Sequence, residues 1–332
     1  MEVNFCTHFS ASYIPQGVAL ILSIKKHYPN SHIWVMPLDE LTRLTLASLH
    51  FHNVSLLEKS IDSVLFSKFD EFIQSRTYAE SVFSIKSLFI ENVLFRLQEN
   101  EIVFYLDADT FMFSPLELPE NLIEISILLS PHYFTVMSSK SANSGNFNAG
   151  LVGFKNDHFG RSAVRFWSIL CAEWCSVAPD PDRYADQKYL EKIATKWASK
   201  IGIFEYGNNF GTWSFSQELS IECKNENIYI NGKKITLFHF HGLKISKILI
   251  RTGISMYGHF PVENRIKKMV YGEYRMAIKN ALEILLRIEN VGTYKNKKLF
   301  PNVGSFRNFL ALARRRDFIL MWHLHGFLRK KN

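Results

Sequence analysis

The sequence predicts an α/β protein organised around a doubly wound sheet. Short apolar segments typical of strands alternate with helical segments from the start of the chain, which is the order of such a fold. Residues 102–106 form a continuous apolar run, which is typical of a strand buried on both faces in a parallel sheet. The 332 residues are 47% hydrophobic and 14% aromatic, which is ample for a core and argues against disorder.

The first part of the chain contains five alternating elements. We predict strands at 3–7, 33–36 and 54–57, with helices at 15–27 and 41–49. A doubly wound start of this kind makes a nucleotide site at the switch point of the sheet. The sequence contains neither G-x-G-x-x-G nor G-x-x-x-x-G-K-[ST], so phosphate must be held in another way, and a metal ion would serve.

The middle of the chain continues the same alternation. In chain order we predict a helix at 84–97, strands at 102–106, 125–130 and 147–154, a helix at 162–175, a helix opening at Asp186, and a strand at 203–206. The dipeptide Asn231-Gly232 predicts the turn of a hairpin over residues 228–237. Gly150 interrupts a predicted strand, and a glycine in that position often lets a ligand or another backbone approach closely.

Two carboxylates follow the apolar strand at 102–106. Asp107 and Asp109 are two residues apart, so in an extended backbone their side chains point the same way. Two such carboxylates repel each other unless a positive group lies between them, and a hard divalent cation that also binds phosphate is the obvious candidate. The alternative is a polar turn after a strand, with Asp107 capping the segment that follows.

A second polar cluster lies near residue 240. In the segment Phe238-His239-Phe240-His241, the two histidines share one face and the two phenylalanines share the other. Gly242 and Lys244 follow directly, so this segment resembles a site for metal and phosphate. The alternative is a pair of histidines whose hydrogen bonds are satisfied at the edge of a sheet.

Four segments in this order resemble the GT-A sugar-nucleotide glycosyltransferases. They are Tyr-Leu-Asp-Ala-Asp at 105–109, Asn-Ala-Gly at 148–150, Asp-Gln at 186–187, and His-Phe-His-Gly-Leu-Lys at 239–244. The resemblance is greatest to glycosyltransferase family 8, which includes glycogenin and bacterial lipopolysaccharide galactosyltransferases, and it spans roughly residues 1–260. It implies a GT-A fold, which is a Rossmann-like doubly wound mixed sheet flanked by helices.

The resemblance also implies a role for each matching residue. Asp107, Asp109 and His239 match the ligands of a Mn²⁺ or Mg²⁺ ion that bridges the diphosphate of the donor. Asp186 and Gln187 match the pair beneath the donor sugar, and we expect Gln187 near the anomeric carbon. The residues expected to bind the donor are Thr7, Tyr13, Lys86, Asp107, Asn148, Ala149, Gly150, Gly242 and Lys244.

Several of these side chains also have a purely structural interpretation. Asn148 suits a turn, and Asp186 suits the N-cap of the helix that follows it. Trp167 and Trp213 are more often core residues than platforms for a sugar. His132 follows a predicted strand and lies either beside the acceptor or on the surface.

The implied function is a metal-dependent hexosyltransferase. It moves a hexose from a nucleotide-diphosphate donor, expected to be UDP-linked, to a glycan or lipid-linked acceptor in surface-polysaccharide or lipopolysaccharide synthesis. The family retains the anomeric configuration, and we favour a front-face route in which the leaving phosphate takes the acceptor's proton. The alternatives are a nucleotidyltransferase, which also uses paired aspartates, and a non-catalytic protein that binds sugar nucleotides as a scaffold.

The end of the chain differs in charge from the rest. Of the net charge of +8, residues 265–332 carry +12, from 16 Lys and Arg against 4 Asp and Glu, so residues 1–264 carry −4. We therefore divide the chain into a catalytic domain at 1–260 and a helical basic region at 261–332, with helices at 266–288 and 306–328 and a loop at 292–304. This region resembles an interfacial segment attracted to anionic lipid, and the alternative is a solvated cap packed on the catalytic domain. Nucleic acid is disfavoured, because no nucleic-acid motif is present.

The sequence also suggests a cytoplasmic location, with peripheral contact at the inner face of the membrane. It contains no recognisable signal peptide and no run of about 20 apolar residues that would span a bilayer. The four cysteines form no C-x-x-C pair, so we expect buried free thiols in a reducing compartment.

Overall fold

A seven-stranded sheet forms the centre of the molecule, in the order β3-β2-β1-β4-β7-β6-β8. Its strands are β1 Val3–Phe9, β2 Ile33–Pro37, β3 Val54–Leu56, β4 Ile102–Leu106, β6 Ile127–Pro131, β7 Phe147–Lys155 and β8 Ile201–Ile203. All neighbouring strands pair in parallel except β7, which runs antiparallel to both β4 and β6. The prediction of a doubly wound, mixed α/β sheet is therefore confirmed.

Helices cover both faces of this sheet. They are α1 Ile14–His27, α2 Glu40–Ala47, α3 Ser63–Ser75, α4 Tyr78–Leu94, α5 His158–Glu173, α6 Tyr189–Lys196 and α7 Gly272–Leu286. Alternate residues of β4 enter the two cores: Phe104 packs with α1 and α7, whereas Val103 and Tyr105 pack with α3, α4, α5 and α6. The continuous apolar run of β4 is thus explained by burial on both faces.

Smaller sheets lie around the central one. In the sheet β5-β13-β9, strand β13 (Leu237–His239) pairs antiparallel with β5 (Thr110–Met112) and parallel with β9 (Phe210–Gly211). A second sheet contains β10 Ile221–Lys224, β11 Asn227–Ile230 and β12 Lys233–Lys234. The hairpin turn predicted at Asn231-Gly232 is confirmed, with positive φ angles of 51° and 75°.

The structure used here is a computed structural model. It describes residues 3–135, 143–178, 180–215, 220–225, 227–245, 249–256, 267–288 and 318–320. The predicted loop at 292–304 and most of the predicted helix at 306–328 lie outside these residues. Within them, no helix is both apolar enough and long enough to span a membrane.

The described part of the C-terminal region contains a π-helical turn at Lys267–Tyr271, one α-helix and one strand. Helix α7 buries Tyr274, Ile278 and Leu282 in the core that it shares with α1. β14 Lys244–Ile245, β15 Leu249–Arg251 and β16 Phe318–Leu320 form a third small sheet. The prediction of helix across residues 306–328 is therefore wrong at 318–320, where the backbone pairs with β15 instead.

Other element boundaries also differ from the predictions. Helix α3 was not predicted, and α4 begins at Tyr78 rather than residue 84, because Thr77 and Glu80 form a capping box. The strand predicted at 203–206 ends at Ile203. Cys6, Cys171 and Cys175 are buried free thiols as expected, whereas Cys223 is exposed.

Candidate active site

A short turn between β4 and β5 carries the two acidic residues. The backbone N–H of Asp107 donates to the Gly150 carbonyl of β7 at 3.0 Å, which ties the end of β4 to its neighbouring strand. Thr110 closes the turn, because both its backbone N–H (3.0 Å) and its hydroxyl (2.8 Å) donate to the Asp107 carbonyl. The turn places Asp107 and Asp109 at the carboxyl edge of the central sheet, where ligands bind in open α/β folds.

Strand β13 brings His239 to the same place. His239 is paired with Thr110 of β5, and the backbone N–H of Phe240 donates to the Asp109 carbonyl at 2.8 Å. The Nε2 atom of His239 therefore lies 3.1 Å from Asp109 Oδ1 and 3.8 Å from Asp107 Oδ2. Backbone pairing thus joins residues that are more than a hundred positions apart in the sequence.

Asp107, Asp109 and His239 form a group suited to a divalent cation. One ligand atom from each residue lies within 4.8 Å of the other two. Carboxylate oxygens and an imidazole nitrogen are ligands of Mn²⁺ and of other divalent ions, while Mg²⁺ favours oxygen. Burial lowers the pKa of His239, but the Asp109 and Asp107 carboxylates together outweigh that effect and the net shift of the pKa is upward. The cluster thus favours an added positive charge, and the donor set fits the expected metal site.

A buried lysine lies behind this cluster. Lys86 extends from α4, is 3% exposed, and places its Nζ 2.8 Å from Asp186 Oδ2 and 3.2 Å from Asp107 Oδ1. The same Nζ donates to the Ala149 carbonyl at 3.3 Å. Burial alone would raise the pKa of Asp107, but Lys86 is the largest of the effects that lower it to about 2. Asp107 is therefore ionised across the physiological pH range.

The neighbourhood of Asp186 overturns one structural interpretation. The N-cap of α6 is Lys188, and its side chain makes no capping hydrogen bond, so Asp186 is not the cap of that helix. Instead, Asp186 is buried beside Lys86, and its carbonyl accepts a hydrogen bond from Trp167 Nε1 at 2.7 Å. The side chain of Gln187 has a different partner, because its Nε2 donates to the Ser144 carbonyl at 2.9 Å.

Asn148 belongs to a buried hydrogen-bond network rather than to a turn. Its Oδ1 accepts from the Gly150 N–H at 2.8 Å and from Asn209 Nδ2 at 3.0 Å. Its Nδ2 donates to His132 Nε2 at 3.0 Å, while His132 Nδ1 donates to the Gly145 carbonyl at 2.8 Å. Among the described residues the second N–H of the Asn148 amide has no acceptor, so it is able to bind a ligand.

Gly150 allows His239 to lie close to β7. A Cβ atom at this position would lie 2.5 Å from both Cε1 and Nδ1 of His239 and 2.7 Å from Asn148 Oδ1. The Trp213 ring packs edge-on against His239 from another direction, with ring centroids 5.1 Å apart. No hydrogen-bond partner of His239 Nδ1 lies within the described residues, so these packing contacts and the contact of Nε2 with Asp109 set the orientation of the imidazole.

The remaining predicted residues lie around the cluster at different depths. The Asp109 carboxylate is the largest cause of a raised pKa at Tyr13, which places that exposed tyrosine near the acidic pair. Thr7 is fully buried in β1. Gly242 takes a positive φ of 76° in the turn after β13, and Lys244 is exposed in β14. Within the described ranges, no ion pair joins Lys244 to Asp107 or Asp109.

Three residues of the site were missed or undervalued by sequence reasoning. Tyr105 donates its hydroxyl to Asp107 Oδ1 at 2.6 Å, and its position two residues earlier on the same strand face was a usable signal. His132 is 4% exposed, so of its two predicted positions the surface one is wrong. Asn209, which binds Asn148, had no signal in the sequence.

Comparison with known proteins finds relatives without an assigned activity. No protein-family profile matches the chain. It is 28% identical over 258 residues to the uncharacterized protein YfnF of Bacillus subtilis (strain 168), covering 75% of this chain and 84% of YfnF. It is 25% identical over 288 residues to the uncharacterized protein YfnD of the same strain, covering 84% of this chain and 90% of YfnD.

Solved structures that are similar to this chain include glycosyltransferases. Galactosyltransferase LgtC, in complex with donor and acceptor sugar analogues, is 13% identical with a TM-score of 0.48, over 86% of this chain and 96% of LgtC. The bifunctional glycosyltransferase WbbM is 17% identical with a TM-score of 0.46, over 86% of this chain and 51% of WbbM. GlyE of Streptococcus pneumoniae TIGR4 is 15% identical with a TM-score of 0.45, over 86% of this chain and 62% of GlyE.

Proposed function

We propose that this protein is a metal-dependent glycosyltransferase of the GT-A type that uses a nucleotide-diphosphate sugar. The observation that carries the proposal is the meeting of Asp107, Asp109 and His239 at the carboxyl edge of the sheet, within 4.8 Å of one another. The same three residues are the metal ligands implied by the family resemblance. A bound Mn²⁺ or Mg²⁺ supplies positive charge where the leaving diphosphate becomes more negative.

The protein's own residues would hold and orient the donor sugar. Asn148 offers one N–H that has no acceptor within the described ranges, and its amide is fixed on both sides by His132 and Asn209. Asp186 lies 2.8 Å from Lys86, so its carboxylate is held as a fixed acceptor beneath the sugar. Gln187 lies next to Asp186 and is half-buried, and we place it near the anomeric carbon. Such fixed groups lower the cost of orienting the substrate.

We further propose that transfer proceeds with retention by a front-face route. The acceptor oxygen forms its bond to the anomeric carbon on the face from which the nucleoside diphosphate leaves. The bond from that carbon to the phosphate oxygen breaks, and the departing phosphate takes the acceptor's proton. This route needs no enzyme nucleophile, which suits Gln187, because an amide is a poor one.

The proposed donor is a UDP-linked hexose, and the acceptor is a glycan or a lipid-linked glycan. Tyr13, beside Asp109, and Thr7, in β1, lie where the resemblance places the nucleotide base. Gly242 and Lys244 follow β13 directly, and we propose that this segment covers the diphosphate. The setting we propose is surface-polysaccharide or lipopolysaccharide synthesis at the cytoplasmic face of a membrane.

A donor-hydrolysis screen tests this function. Purified protein is incubated with UDP-, GDP- and CMP-linked sugars, with and without Mn²⁺, and the released nucleotide is measured. A parallel incubation with UTP and a sugar 1-phosphate measures released pyrophosphate. We expect release of a nucleoside diphosphate that requires Mn²⁺ and falls by about 10²–10³-fold in Asp107→Ala, the scale on which loss of one fixed electrostatic group acts. Asp70→Ala is the matched control, because this exposed carboxylate pairs with Lys59 on the surface.

The same screen separates the alternative functions. Release of pyrophosphate in the incubation with UTP and a sugar 1-phosphate would identify a nucleotidyltransferase. Donor binding without turnover, unaffected by Asp109→Ala, would identify a scaffold protein. Hydrolysis that continues unchanged in EDTA and in Asp107→Ala would contradict the metal-dependent mechanism.

A further inference from the structure

The two carboxylate oxygens of Asp107 have different surroundings. Oδ1 accepts the Tyr105 hydroxyl at 2.6 Å and lies 3.2 Å from Lys86 Nζ. Oδ2 lies on the side of His239, 3.8 Å from its Nε2. Because two donors engage Oδ1, Oδ2 is the oxygen left to bind a cation.

Tyr105 is held firmly in the core. It lies two residues before Asp107 on β4, so both side chains leave the same face of the strand. Its side chain is 1% exposed, and its ring packs 5.5 Å from the His8 ring and 5.0 Å from Lys86 Nζ. The hydroxyl is therefore a fixed donor whose position is set by core packing.

Lys86 cannot set the rotation of the Asp107 carboxylate on its own. Its ammonium is shared among Asp107, Asp186 and the Ala149 carbonyl, and Asp186 is the nearest of the three. An ammonium acts as a point charge and satisfies either oxygen of a carboxylate. The terminal torsion of an aspartate is broad, so a directional hydrogen bond is needed to hold one rotation.

We propose that Tyr105 is a positioning residue for the cation site, because its hydroxyl holds Oδ1 of Asp107 and presents Oδ2 to the cation beside His239. This role rests on the metal-dependent function proposed above. Tyr105 would support the ligand Asp107 without contacting the ion itself. The role also predicts that Asp107 binds the ion through one oxygen. Partners of this kind typically affect metal affinity by 10–100-fold when they are removed.

Titration of the full-length protein with Mn²⁺, in the absence of any donor, tests this role. Tyr105→Phe removes only the hydroxyl, and we expect it to weaken the Mn²⁺ Kd about tenfold, measured by isothermal titration calorimetry. Tyr28→Phe is the matched control, because its hydroxyl accepts from the Leu116 N–H at 2.9 Å away from the cluster. Far-UV circular dichroism and thermal unfolding confirm that both variants are folded.

A double-mutant cycle shows whether the effect acts through Asp107. In an Asp107→Asn background, Tyr105→Phe is expected to leave the remaining Mn²⁺ affinity unchanged. A wild-type Kd in Tyr105→Phe overturns the role of Tyr105, and so does an equal loss with and without Asp107. Asp109→Ala serves as the reference: if it too binds Mn²⁺ like the wild type, the metal site itself is wrong. If Tyr105→Phe binds Mn²⁺ like the wild type while Asp109→Ala binds it more weakly, the proposed function stands and this inference fails.

Discussion

At the scale of single residues, close packing and hydrogen bonds define the site. Gly150 leaves space for the His239 ring, and Trp213 packs against another side of that ring. Asp107 is held by Tyr105 and Lys86, and Asn148 is held by His132 and Asn209. The ligand groups are thus fixed before any substrate binds, which is what electrostatic catalysis requires.

Gly150→Ala tests the contact between β7 and His239. The added methyl group would lie 2.5 Å from the imidazole, so His239 must move away from Asp109. We expect Mn²⁺ affinity to fall at least tenfold, on the scale of altered ligand support, while the protein stays folded. Calorimetric titration measures the affinity. Gly232→Ala, which strains a hairpin turn through its positive φ but meets no atom within 4 Å, is the control for a loss of stability away from the site. An unchanged affinity in Gly150→Ala would show that His239 is not held in this way.

His132 gives a prediction for pH. Burial is the largest of the effects that lower its pKa, from 6.5 to about 4, so the folded state favours the neutral ring that accepts from Asn148. Between these two values the unfolded state binds more protons, so this contribution to stability is complete above pH 6.5 and is lost as the pH falls towards 4. We expect the melting temperature of His132→Gln to depend less on pH than that of the wild type in this window. Equal pH slopes for the two proteins would contradict the assignment.

At the scale of secondary structure, four elements deliver the site residues. β4 ends in the acidic turn, β13 pairs with β5 to bring in His239, α4 carries Lys86, and β7 contributes residues 148–150. Helix α4 is the longest of these elements and has a complete capping box at Thr77 and Glu80. The position of Lys86 therefore depends on a helix whose start is fixed.

Thr77→Ala tests the contribution of this cap. The Thr77 hydroxyl accepts from the Glu80 N–H, and the Glu80 carboxylate accepts from the Thr77 N–H. We expect a loss of about 1 kcal/mol in the free energy of unfolding, measured by urea denaturation, with Mn²⁺ affinity unchanged. Thr195→Ala, in the last turns of α6, is the control and is expected to cost less. Equal losses in the two variants would argue against the capping box.

The sequence indicated which residues carry the polar cluster better than it indicated the buried contacts that hold them in place. The buried run at 102–106 ends in Asp107 and Asp109, so a polar site at the sheet edge followed directly from strand geometry. The placement of His239 came from the resemblance, and the pairing of β13 with β5 agrees with it. The Lys86–Asp186 pair joins residues 100 positions apart, and no local pattern reveals such a contact.

Elements were missed for two different physical reasons. Helix α3 has a readable apolar stripe at Leu65, Phe69 and Phe72, so that signal was present but overlooked. The strand at 318–320 is different, because its sequence also fits a helical stripe. Only pairing with β15 decides its structure, and tertiary pairing of this kind overrides local propensity.

At the scale of the whole molecule, the C-terminal region is joined to the site through a small sheet. β16 pairs with β15, which pairs with β14, and β14 begins two residues after Gly242. The division at residue 260 and the contact of the basic tail with lipid remain predictions. The segment from 305 to 332 thus has two proposed roles, since it completes a sheet and carries seven basic residues.

Deletion of residues 305–332 separates these two roles when it is compared with a charge variant. We expect the deletion to lower the melting temperature, because β15 loses a neighbouring strand, and to weaken sedimentation with anionic vesicles. Replacement of Arg314, Arg315 and Arg316 by Gln is expected to weaken vesicle binding alone, since each basic residue near such a surface adds about 1 kcal/mol. Vesicle binding that is equal in all three proteins would refute the membrane role.

Joint binding of one divalent cation by Asp107, Asp109 and His239 is detected by pulsed electron paramagnetic resonance of the Mn²⁺-loaded protein. We expect a coupling of one histidine nitrogen to the Mn²⁺ electron spin. This coupling changes when histidine is labelled with ¹⁵N and disappears in His239→Gln. We also expect Asp107→Ala and Asp109→Ala each to weaken Mn²⁺ binding. A bound Mn²⁺ without nitrogen coupling, or a coupling that persists in His239→Gln, would contradict the assignment of His239 as a ligand of the ion.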